Sequence, residues 1–264
     1  MTDEIALIVE RRAAVATLTL NRPDVGNAID LPFARTLLEA AIAVDADPSV
    51  RCVVLTGRGR MFCAGGDVGA FAAAGERAPA IVKEITACMH AAIATLARMR
   101  KPLVTAINGP AAGAGFSLAM LGDIALAADS AHFTLAYTAL GLTPDCGATW
   151  LLPRLVGLRR AQELVLTNRR VAASDAVALG LITRAVDAGS LTSETQAVSD
   201  ALASQATSAL GLARRLLLES FESGLETHME RESRAIAESI GTPDGREGVR
   251  AFLAKRKPVF GNES

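Results

Sequence analysis

Cysteine is scarce in this chain. Cys52, Cys63, Cys88 and Cys146 are the four in 264 residues, and no two have the spacing of a zinc-ligand pair. The three histidines, His90, His132 and His228, are scattered. No metal site is expected. Few cysteines in a chain of this length fit buried thiols in a reducing compartment, so a cytoplasmic location is expected. An excess of either charge is missing too. The net charge is −1, which provides no long-range field for nucleic acid. The one dense basic cluster, Lys255-Arg256-Lys257, reads as a solvated helix end. The first residues, Met1-Thr2-Asp3-Glu4, are acidic and unlike a signal peptide. An uninterrupted apolar run is lacking: the most apolar stretch, 111–128, contains Asp123 and several glycines, so no membrane span is expected.

Half of the residues are hydrophobic, enough for one large domain or a domain with an appendage. Strand-like runs occur at 5–9, 14–20, 50–56, 103–107, 124–127 and 132–135. Helical patterns alternate with them at 32–44, where Asp30 is a plausible cap, at 76–99, which ends before Pro102, and at 113–121. This alternation predicts an α/β fold. After about residue 191 the pattern turns almost wholly helical, with segments at 192–205, 206–222, 225–240 and 243–255 punctuated by Gly224 and Gly241-Thr242-Pro243. Their apolar stripes must pack against something.

The strongest chemical signal lies in two segments far apart in sequence. Phe62-Cys63-Ala64-Gly65-Gly66-Asp67 follows the apolar run Val53-Val54-Leu55-Thr56. Asn108-Gly109-Pro110-Ala111-Ala112-Gly113-Ala114-Gly115 follows Leu103-Val104-Thr105-Ala106-Ile107. Small residues let a ligand approach the backbone closely. Two such loops can present two backbone N–H donors to one oxygen, the device that holds an oxyanion.

In order and spacing these segments resemble the crotonase, or enoyl-CoA hydratase/isomerase, superfamily. The resemblance runs from Asn21-Arg22-Pro23 and Asn27-Ala28 to Lys255-Arg256-Lys257-Pro258-Val259-Phe260. It implies a spiral core of ββα units over 1–190 and a C-terminal helical oligomerisation region over 191–264. No internal repeat is visible in the sequence, so the spiral rests on the resemblance alone. Homotrimers, or hexamers built as dimers of trimers, are implied as well. So is an acyl-CoA substrate, with coenzyme A carried in the thioester and no separate cofactor. By position, the backbone N–H groups of Gly66 and Ala114 would hold the thioester oxygen. Ala28, Ala64, Asp67 and Val68 would line the coenzyme A path, and Phe252 and Lys255 match positions that reach the coenzyme A of a neighbouring subunit. Arg22 and Arg58 are both open as phosphate partners.

The hydratase branch of this superfamily uses two glutamates. The corresponding positions here, three and twenty-three residues after Ala114, hold Ser117 and Tyr137. Hydration needs one group to activate water and another to protonate carbon, and neither residue is a carboxylate. Asp145, in Gly141-Leu142-Thr143-Pro144-Asp145-Cys146-Gly147, matches the catalytic aspartate of branches that depart from hydration. The following Thr149-Trp150-Leu151-Leu152-Pro153-Arg154-Leu155-Val156-Gly157 looks most like the phenylacetyl-CoA ring epoxide isomerases. A single carboxylate suits an isomerase, which takes a proton from one carbon and returns it to another.

The leading expectation is therefore an acyl-CoA isomerase with Asp145 as acid/base. Hydration with water placed by Ser117, Tyr137 and Asp145 stays open. So does dehalogenase-like hydrolysis through Asp145 and His90, since the resemblance puts a histidine on the helix that carries His90 in that branch. A thioester-binding protein without activity is a fourth reading. Met61, Phe71, Met89, Phe116 and Tyr137 fit either an apolar acyl pocket or the core. Cys63 and Cys146 read as packing residues, and Asp67 and Asp123 as loop or cap carboxylates.

Overall fold

The computed structural model describes residues 5–261. The acidic segment 1–4 and the last three residues of the 191–264 region lie outside them. The chain begins with β1 (Leu7–Arg12) and β2 (Val15–Leu20), then α1 (Leu31–Ala46), β3 (Cys52–Gly57), α2 (Val68–Ala74) and α3 (Ala78–Arg98). It continues through β4 (Leu103–Ile107), β5 (Ala111–Ala112), α4 (Ala114–Ala119), β6 (Ile124–Ala128) and β7 (His132–Thr134). Next come α5 (Ala148–Val156), α6 (Leu158–Thr167), β8 (Val171–Ala172), α7 (Ala173–Leu179) and β9 (Arg184–Val186). Four helices finish it: α8 (Leu191–Ala203), α9 (Thr207–Glu219), α10 (Leu225–Gly241) and α11 (Pro243–Leu253).

The main sheet has the order β1-β2-β3-β4-β6-β9, and β5-β7-β8 form a small second sheet. β1 runs antiparallel to β2, and every later pairing in the main sheet is parallel. Parallel strands are covered on both faces. β4 accordingly is buried along its whole length, which is why 103–107 reads as a continuous apolar run. α1 and α3 pack on each other. Asp30 caps α1 as expected, its carboxylate accepting from Phe33 N at 2.9 Å.

The helix expected at 76–99 is α3, Ala78–Arg98, and a shorter helix precedes it. α2 begins at Val68, and Gly75, at φ +54°, separates it from α3. Val68–Arg98 as a whole is long and apolar enough to cross a bilayer. Within it, however, Ile85, Met89, Ala92 and Leu96 are buried in the core of the fold. The elements α5, α6, α7, β8 and β9 were not anticipated. They are short, α5 contains Pro153, and left-handed Gly147, Gly157 and Gly180 interrupt them, so no stretch is long enough to establish a period. Of the C-terminal helices, α8 packs on β2, β3, β4 and β6, whereas α10 contacts α9 and α11.

Candidate active site

The parallel pairing of β3 with β4 brings the two small-residue loops out side by side. Cys63 bridges Ala111, and Ala112 N donates to Cys63 O at 2.9 Å. The approach is too tight for side chains. A Cβ on Gly115 would lie 2.2 Å from Cys63 O, and one on Gly65 would lie 2.8 Å from Ala112 O. Gly65 also has φ +95°, outside the range that side-chain-bearing residues adopt readily. Two asparagines hold the loops. Asn27 Nδ2 donates to the carbonyls of Arg58, Met61 and Phe62, at 2.9 to 3.0 Å. Asn108 accepts from Gly57 N and donates to Gly59 O. Both stand inside motifs legible in the sequence, but their side-chain roles were not. Asparagine there pairs a donor with an acceptor, and only the fold says which carbonyls are near.

Gly66 and Ala114 line one cavity of about 690 Å³. Among the described residues, neither backbone N–H has an acceptor in the protein. Ala114 is the first residue of α4, where helix geometry leaves N–H groups free. The cavity wall is mostly apolar, with Phe71, Val82, Ile85, Met89, Leu140 and Leu142 among its residues. Among the described residues, Asp145 is the one carboxylate in that lining.

Asp145 sits in a hydrogen-bonded frame. The Tyr137 hydroxyl donates to its Oδ1 at 2.5 Å. Its backbone carbonyl accepts from Ser117 Oγ at 3.3 Å and from Ala148 N at 2.9 Å. The next amide, Cys146 N–H, donates to His90 Nε2 at 3.2 Å. Burial and the neighbouring Asp145 charge push the Tyr137 phenol well above its ordinary value. Burial, then the same charge, pushes the Cys146 thiol up as well. Burial alone takes Cys63 to about 12, and its thiol donates to Asn27 O.

His90 lines a second cavity of about 600 Å³ with Arg98, Trp150, Arg214 and Glu222, and Cys146 lies in the wall between the two. His90, Asp145 and Cys146 bring a ring nitrogen, a carboxylate oxygen and a thiol within 4.8 Å of one another. That donor set suits a zinc ion poorly, because the Nε2 lone pair is occupied by the Cys146 amide and burial opposes thiolate formation.

Of the residues expected along the coenzyme A path, Ala64 and Val68 line the first cavity. Ala28 is buried, and Arg22 donates to its carbonyl. Asp67 caps α2 through Ala70 N at 2.9 Å. Arg22 pairs with Asp30 at 2.8 Å and Asp67 at 3.9 Å, while Arg58 donates to Asn21 at 3.2 Å. Arg22 is thus turned inward, braced between two loops. Phe252 and Lys255 are exposed near the end of α11 and line neither cavity.

The structure divides the residues read as pocket or core. Phe116 is packed edge-on against Phe133 in the core, and Met61 lies against Gly26, outside the lining. Phe71, Met89 and Tyr137 do line the cavity. Asp123 accepts from Leu103 N and pairs with Arg214 at 2.6 Å, a structural role.

A parallel sheet with two apposed glycine loops, opening into an apolar cavity, places this protein among the crotonase-fold enzymes. The family model for enoyl-CoA hydratase/isomerase matches residues 10–263, and the chain belongs to that family. It is 40% identical to the 1,2-epoxyphenylacetyl-CoA isomerase of Escherichia coli (strain K12), over 93% of this chain and 94% of the relative. It is 34% identical to 4-chlorobenzoyl coenzyme A dehalogenase-2 of an Arthrobacter species, over 94% of this chain and 90% of the relative. The solved enoyl-CoA hydratase from Polaromonas sp. JS666 superimposes with a TM-score of 0.91 at 32% identity, covering 96% of this chain and 98% of the other.

Proposed function

We propose that this protein is an acyl-CoA isomerase that uses one carboxylate, Asp145, as both base and acid. The thioester carbonyl accepts from Gly66 N–H and Ala114 N–H, and the negative charge of the enolate develops there. Each such donor contributes roughly 3–4 kcal/mol to the transition state in other enzymes. Asp145 removes a proton from one carbon of the substrate and returns it to another along the conjugated enolate, which moves a double bond. In an epoxide substrate, the same enolate chemistry accompanies ring rearrangement. The thioester supplies the activation, so the step needs no metal or redox cofactor.

One observation carries this reading. Among the described residues, Asp145 is the sole carboxylate in the cavity that holds the two free N–H groups. The positions where a hydratase has glutamates offer no second acid. Ser117 is buried and bonded to the Asp145 backbone, and the Tyr137 hydroxyl is given to the Asp145 carboxylate. Similarity to an epoxide isomerase supports the same side. For dehalogenase-like hydrolysis His90 would have to act as a base, and its Nε2 is already occupied by Cys146 N–H.

Coenzyme A would enter beside Ala64 and Val68. Exposed apolar residues on and beside the last helices, including Leu217, Phe221, Met229, Ile236 and Phe252, support a homotrimer or a hexamer in which those faces are covered.

A substrate panel tests the proposal. A 3-enoyl-CoA, crotonyl-CoA and 4-chlorobenzoyl-CoA are offered to the protein and to Asp145→Asn, following enoyl-thioester absorbance and chloride release. Isomerisation should dominate and fall about 10²–10⁴-fold in Asp145→Asn, the range for loss of a general base. Isomerisation that survives in Asp145→Asn, or hydration faster than isomerisation, would overturn it.

A further inference from the structure

We infer that His90 is a positioning residue: it holds the peptide between Asp145 and Cys146 in a left-handed turn and so aims the Asp145 carboxylate. This rests on the reading of Asp145 as the acid/base.

The peptide unit joining residues 145 and 146 is gripped on both sides. Its carbonyl accepts from Ser117 Oγ and Ala148 N, and its N–H donates to His90 Nε2. Donation to Nε2 requires that nitrogen to be unprotonated, with the ring proton on Nδ1. Cys146 itself has φ +51°, a conformation that side-chain-bearing residues avoid because Cβ crowds the carbonyl. Gly147 follows at φ +76°. A buried non-glycine residue in this region persists only when its surroundings over-determine it. His90, reaching across from α3, supplies the long-range constraint on the N–H side of that peptide, 56 residues away, as Ser117 does on the carbonyl side.

The consequence reaches the reaction through geometry. The orientation of this peptide fixes where the Asp145 side chain leaves the backbone, and Tyr137 fixes the far end of the same side chain. Losing the Cys146 N–H bond lets the turn relax toward negative φ and swings the carboxylate away from the substrate carbons. His90 lines the second cavity and not the one that Asp145, Gly66 and Ala114 share, and its hydrogen bond goes to the Cys146 amide and not to the Asp145 carboxylate.

Glutamine can accept the same bond through its side-chain oxygen, and glycine at 146 adopts positive φ without a helper. The test therefore uses His90→Ala, His90→Gln, Cys146→Gly and the double variant His90→Ala/Cys146→Gly, each checked for its melting temperature. His90→Ala should lower kcat about 100-fold with little change in KM, the effect of a misplacement near 1 Å. His90→Gln should retain most of kcat, and the double variant should recover about tenfold or more over His90→Ala. Equal inactivation by Gln and Ala, or no recovery in the double variant, would overturn the inference. A crystal structure of His90→Ala gives a readout independent of the reaction. A flipped 145–146 peptide supports the positioning role, and an unchanged one refutes it. If Asp145→Asn stays active while that peptide flips, the assignment of Asp145 fails and the role of His90 in the turn stands.

Discussion

The hydroxyl of Tyr137 donates to Oδ1 of Asp145 across 2.5 Å, and both residues line the cavity that holds Gly66 and Ala114. One carboxylate oxygen is thereby fixed to the protein and the other is left for chemistry. A group that holds its proton this tightly is a donor and not a titrating acid.

That relationship can be read directly, because Tyr137 is the only tyrosine in the chain. An unperturbed phenol is half ionised near pH 10. Tyr137 is pushed well above that by burial and by the Asp145 charge. Near-ultraviolet absorbance should show no tyrosinate at about pH 10 while the protein is folded. The linkage has a definite sign: the folded value lies above the unfolded one, so the contribution to stability is full below about pH 10 and is lost as pH rises beyond it. Melting temperatures of Tyr137→Phe should therefore fall less than those of the parent as pH rises above about 10. Half-ionisation near pH 10 in the folded protein would refute the contact.

The apposed loops make Gly115→Ala a severe change. Its Cβ would sit 2.2 Å from Cys63 O and 2.7 Å from Cys63 Cβ, against backbone that cannot yield without moving the Gly65–Gly66 loop. Overpacking of this kind costs about 1–3 kcal/mol. We expect a lower melting temperature together with lost turnover, because the two N–H donors shift relative to each other. Full activity in Gly115→Ala would show that their spacing is not critical.

Lys101 is buried and far from this chemistry in role. Its ammonium donates to the carbonyls of Val44, Asp45 and Asp47 at 2.6, 2.8 and 2.6 Å, closing the C-terminal end of α1. Lys101→Met leaves those carbonyls without their charged donor, at a cost of about 1.5–3 kcal/mol. Denaturant unfolding should register that loss, with kcat unchanged. A variant as stable as the parent would mean that water replaces the ammonium.

The cysteines should separate by reactivity. Cys52 and Cys63 are pushed up to about 12 by burial, and Cys146 is raised further. Cys88 is only partly buried. Alkylation near neutral pH, read by mass spectrometry of the peptides, should modify Cys88 first. Early labelling of Cys146 would contradict the closed wall between the two cavities.

The residues alone marked two small-residue loops, around Gly65-Gly66 and Gly113–Gly115, each after an apolar β-branched run and together able to present donors to one oxygen. Their apposition came from the parallel pairing of β3 with β4. The sequence also showed, at Ser117, that the hydratase glutamate is missing, and with the family pattern it singled out Asp145. Only the tertiary structure decided what surrounds Asp145. Tyr137 is eight residues away and His90 fifty-five, and no periodicity links them. Their contacts exist because α3 crosses behind the cavity and Cys146 takes a left-handed turn. Likewise Arg22 looked free to meet a phosphate and is instead braced against Asp30 and Asp67. Local chemistry is written residue by residue, whereas a side chain's partner is set by which distant backbone the fold delivers to it.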